Sequence, residues 1–115
     1  MSFNVNDLLQ KMLQAGEAAF GAEWKQVSTF VPTEFKKMAV QLADIADNVA
    51  KFEANNAEGY PPAAAKVLLQ MQQRGLEATL TAVTALTLTT IQNAFNSILK
   101  VLKDTFGGVL AEIIP

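Results

Sequence analysis

Apolar residues recur every three or four positions along most of the chain, and the clearest run is Phe35, Met38, Leu42, Ile45, Val49 and Phe52. Spacings that alternate between three and four make an a/d seam, the pattern by which one helix sets its side chains between those of another. Ala39, Ala43, Ala46 and Ala50 run beside it and widen the apolar face. Pro32 suits a first helical turn, with Thr33 as a capping hydroxyl and Glu34 as an early acid. The pattern predicts a helix over 33–54.

Upstream, Val5, Leu9, Met12, Gly16, Phe20, Trp24, Val27 and Val31 trace a second stripe, flanked by Leu8, Leu13 and Ala19. Asn4 or Asn6 can cap this helix, and Asp7 places a carboxylate near its positive end. The helix is predicted over 5–29. Gly16 and Gly21 each cost about 1 kcal/mol relative to Ala in a helix interior, so either marks a kink or a close crossing. Trp24 is read as a core residue.

Downstream, the segment 53–62 carries Asn55, Asn56, Gly59, Pro61 and Pro62, residues that stop a helix and tolerate a turn. It is the chain's main loop, and Tyr60 with Glu53 and Glu58 is read as loop surface. From Pro62 a third helix is predicted to run to Phe106. Leu80, Val83, Thr84, Thr87, Ile91, Ala94, Phe95, Ile98, Leu102 and Phe106 make its large-residue face. On the opposite side lie Ala78, Ala82, Ala85, Thr89, Gln92, Asn93 and Asn96, small or uncharged.

No charged residue occurs over 78–99, whereas a solvated helix face normally carries Lys and Glu. The small-residue side is therefore read as a second buried contact, with Ala78, Ala82, Ala85, Thr89 and Asn96 as the interface. The six Thr residues of this stretch also allow a loose strand alternation. That reading fails because the alternation slips at Val83–Thr84, and Thr in a helix can bond back to the carbonyl one turn earlier.

Forty-five straight helical residues would span about 67 Å, whereas a domain of this size has a radius of gyration of about 13 Å. Either the helix bends, with Gly75 the candidate, or the molecule is elongated and a second copy covers the length. Val109, Leu110, Ile113 and Ile114 form an apolar tail read as docking on a partner or a neighbouring subunit.

With 115 residues the chain is one domain, 1–115, able to bury about 65% of its extended surface. The fold class is all-α: a three-helix antiparallel bundle with a long C-terminal helix, completed by homo-oligomerisation, with a dimer favoured. Composition adds to this picture. Half the residues are hydrophobic and 17% are charged, below the roughly 25% usual for soluble domains. The surplus apolar surface points to self-assembly, a partner or a lipid surface.

Candidate chemistry is sparse. The chain has no histidine and no cysteine, so imidazole acid–base work, thiolate chemistry and the usual zinc ligand sets are excluded. Asp44 and Asp47 share one side of a helix, with Lys51 placed to pair with Asp47 on a solvated face. No catalytic, cofactor-binding or metal-binding residue is assigned, no cofactor is expected, and the protein is read as not an enzyme. The net charge is −2 and no basic cluster exceeds Lys36-Lys37, which argues against nucleic acid. Residues 78–99 are numerous enough to span a bilayer but too rich in Thr, Asn and Gln for a confident span. The N-terminus shows no basic segment leading into an apolar run, so a cytoplasmic location is expected.

The functional expectation is a cofactor-free structural or interaction protein that self-associates as a helical bundle. The rival is a lipid or hydrophobic-particle surface binder with amphipathic helices. The scarcity of Lys and Arg beside the apolar faces stands against it.

Overall fold

The computed structural model describes residues 3–115, and the regular elements among them are all helical. Helix α1 covers Val5–Phe20. Asn4 caps it by accepting hydrogen bonds from the backbone N–H groups of Asn6 and Asp7, at 2.9 and 3.2 Å. The helix expected over 5–29 is interrupted at Gly21, whose φ of +56° lies in the left-handed region that glycine enters without strain. A 3-10 turn at Gly21–Glu23 and the short helix α2, Trp24–Val27, follow. Gly16 is the close crossing: a methyl group there would stand 3.0 Å from Phe35 Cε2 and 3.1 Å from Trp24 Cζ3. Met12, Gly16, Phe20, Val27 and Val31 of the expected stripe are buried, while Val5, Leu9 and Trp24 are half-buried and Leu8 and Ala15 complete the buried face of α1.

Helix α3, Val31–Ala54, carries the heptad seam. Phe35, Met38, Leu42, Ile45 and Val49 are all 4% exposed or less, and Phe52 at the far end is half-buried. No single long helix covers this seam. Helices α1, α4 and α6 pack along α3, and Phe35 meets Phe95 of the later helix edge-on, with ring centroids 5.7 Å apart.

The expected helix over 62–106 is two helices, α4 at Pro62–Val83 and α5 at Leu88–Phe106. Gly75 sits inside α4 and does not interrupt it. The break falls among threonines. Thr79, Thr81 and Thr84 donate their hydroxyls to the carbonyls of Gly75, Glu77 and Leu80, at 3.0, 2.7 and 2.7 Å. Thr84 then leaves helical geometry, at φ −126° and ψ 172°, and its Oγ1 accepts the Leu86 N–H at 3.2 Å. Thr87 restarts the helix by accepting the Thr90 N–H at 3.2 Å. Helices of about 33 and 28 Å fit a molecule measuring 45 × 22 × 21 Å, where a straight one of about 67 Å would not.

After Gly107, helix α6 at Gly108–Ile113 turns back on the molecule. Leu110, Ile113 and Ile114 are buried, and α6 packs on α3, α4 and α5. The apolar tail thus docks within its own chain instead of on a partner, because the left-handed Gly107 reverses its direction.

Candidate functional site

The break at Thr84–Thr87 divides the residues read as one interface. Ala78 and Ala82 lie on α4, Ala85 lies in the connection, and Thr89 and Asn96 lie on α5. All five are exposed in the single chain. On α4 the line of Ala78 and Ala82 continues through residues that sequence reasoning missed. Val67 and Met71 are 56% and 62% exposed, and at 3.6 residues per turn they share one face with Ala78 and Ala82. The spacing was legible, but a Val or Met on a helix is read as core until packing shows otherwise. Arg74, at the edge of this stripe, is its one charge.

Roughly a third of a turn further round α4, a polar cleft of about 310 Å³ opens between α4 and α5. Its walls carry the carboxamides of Gln70, Gln73, Gln92, Asn93 and Asn96, with Lys66, Arg74 and Pro115 also at its boundary. Glu77 lines it while only 3% exposed. Gln73 Nε2 donates to Glu77 Oε2 at 3.1 Å and to Asn96 Oδ1 at 3.2 Å, tying α4 to α5. Asn96 therefore faces the chain's own α4. The proximity of residues 73 and 96 was hidden from the sequence because 62–106 reads as one helix and the bend was placed at Gly75 and not at Thr84–Thr87.

Three further places carry titratable or apolar groups. Glu112 of α6 sits beside Glu53 at the end of α3; a hydrogen bond between the two carboxyl groups, some desolvation and like-charge repulsion hold the Glu112 carboxyl above its usual range. Partial burial raises the Tyr60 phenol, repulsion from Asp44 adds to this, and a hydrogen bond with Asn48 opposes it. An open apolar groove of about 640 Å³ runs between α1 and α3, bordered by Leu9, Val40, Lys36 and Lys37.

Among the described residues the one salt bridge joins Lys37 to Glu34 at 3.3 Å, so the expected Asp47–Lys51 pair is not formed. No group of three or more acidic side chains is placed to hold a metal ion among those residues. None of their helices is long and apolar enough to cross a membrane. The chain matches no protein-family model, no curated protein and no solved structure.

Proposed function

We propose that the chain is a cofactor-free interaction protein, an antiparallel helical bundle that assembles with a second copy of itself along the outer face of α4. The observation that carries this reading is the exposure of Val67 and Met71 in line with Ala78 and Ala82. Exposed apolar side chains gathered on one helix face favour a protein contact over solvent. The pattern also favours a second copy over an unrelated partner. Val67 precedes the Arg74–Gly75 bond by as much as Ala82 follows it, and Met71 and Ala78 are related in the same way. A two-fold axis there lays the large half of one helix over the small half of the other, the self-complementary arrangement of an isologous dimer.

Light scattering tests this directly. The wild type should run as a dimer, and Met71→Glu or Ala82→Glu should give a monomer, because a charge without a partner would be buried in the contact. A wild type that stays monomeric at high concentration rules the reading out.

A second reading, binding to a lipid or hydrophobic-particle surface, draws on the groove between α1 and α3. There Lys36 and Lys37 border exposed apolar surface that includes the half-exposed Val40, the combination of cations and apolar groups that interfacial helices use. Vesicle flotation separates the two, since only this reading carries protein to the top of the gradient.

A further inference from the structure

Glu77 is the one charged or polar side chain in the buried set of the described residues. A carboxylate held in one orientation through one oxygen still offers the other to a donor. Here the carboxylate receives a single side-chain hydrogen bond, from Gln73 to Oε2. Neither Lys66 nor Arg74 is within ion-pair distance, although both border the same cleft. Glu77 Oε1 is not among the buried oxygens left without a partner, so it keeps access to the cleft of about 310 Å³ that Glu77 lines.

The surroundings define what would pair with it. Gln73 commits its amide to Glu77 and Asn96, which fixes the carboxylate and leaves its other oxygen to the cleft. Gln92 and Asn93 add carboxamides that can both accept and donate. A primary ammonium has three donors and no acceptor, so it matches one carboxylate oxygen together with amide carbonyls. A hard divalent cation is a poorer fit, since it wants six or more oxygens and the cleft supplies one carboxylate. A simple anion would meet the Glu77 charge. The cations bordering the cleft, Lys66 and Arg74, instead suit an acid carried by the same ligand. The volume lies at the small end of ligand sites.

We propose that the cleft between α4 and α5 binds a small zwitterion of the amino-acid type, its ammonium on Glu77 and its carboxylate toward Arg74 and Lys66. Glu77 lies on a different side of α4 from the proposed dimer face, while Arg74 borders both, so the Glu77 variant is the one that separates ligand binding from self-assembly.

The test is calorimetric titration of the full chain with glycine, 4-aminobutyrate and L-glutamine, which differ in the spacing and polarity of their groups, against butyrate as a control lacking the ammonium. At least one amino compound should bind and butyrate should not. Glu77→Gln keeps the shape and can still accept from Gln73, so it should fold with an equal or higher melting temperature while weakening binding by more than about tenfold. Arg74→Gln should weaken the amino acids by a smaller factor. Failure of all three amino compounds to bind overturns the proposal, as does equal binding of butyrate. Unchanged affinity in Glu77→Gln, or a fall in its melting temperature with no ligand effect, makes Glu77 structural and overturns it as well.

Discussion

Gly59 lies against the backbone carbonyl of Asn48, so close that a side-chain carbon at position 59 would overlap the carbonyl oxygen. The next residue, Tyr60, donates its N–H to the same carbonyl at 3.3 Å, and Gly59 holds φ at +62°. The loop between α3 and α4 is therefore docked on α3 by backbone contacts, and this fixes where α4 begins its run along the seam.

Two glycine substitutions should consequently move stability in opposite directions. Gly59→Ala meets both the left-handed backbone and the Asn48 carbonyl, and should cost at least about 1 to 3 kcal/mol. Gly75→Ala has open space around the new methyl and helical backbone, and should stabilise by about 0.4 to 1 kcal/mol. Urea melts of the two variants decide it; equal effects would mean the loop is not docked as described.

The seam of α3 should dominate the core. Leu42→Ala and Ile45→Ala remove side chains buried to 1% and 4%, and each should cost about 2 to 5 kcal/mol. Asp44→Ala, on the exposed side of the same turn, should stay within about 0.5 kcal/mol. Should denaturant midpoints rank Asp44→Ala with the other two, the seam is not the core of this fold.

The start of α5 rests on one hydroxyl. Thr87→Ala removes the acceptor of the Thr90 N–H and should lower stability by about 1 kcal/mol, the usual loss for an N-cap. Thr87→Ser keeps the oxygen and should retain most of it. A melt in which the Ala and Ser variants behave alike would show that the cap does not set the break.

Acid titration should expose the carboxyl pair of α3 and α6. The Glu112 proton is held more tightly in the folded protein than in the unfolded chain, through its contact with Glu53. Ionisation therefore weakens the folded state: the loss is absent below the ordinary carboxylate range and complete above the raised value. Glu112→Gln should be more stable than wild type at neutral pH, and the difference should vanish as pH falls through that range. Because both groups are at the surface, salt should shrink it. A constant difference across the range would assign the effect to something other than titration.

The sequence by itself determined the helical class, the seam from Phe35 to Val49, a cap at Asn4 or Asn6 and the loop before Pro62, because each depends on local periodicity or on the backbone preferences of a few adjacent residues. The roles left open for Gly16 and Gly21, a crossing or a kink, were divided only by packing: Phe35 and Trp24 close over one, and the other takes a left-handed turn. The stop at Thr84 was present in the sequence as hydroxyls able to bond backward, yet the same residues are compatible with a continuous helix. Tertiary structure decided between them, since two helices folded together bury Leu80, Ile91 and Phe95 against α1 and α3 while one long helix would leave part of that surface in water. That fold-back also brought Gln73, Glu77 and Asn96 into one cleft, a juxtaposition no local pattern encodes.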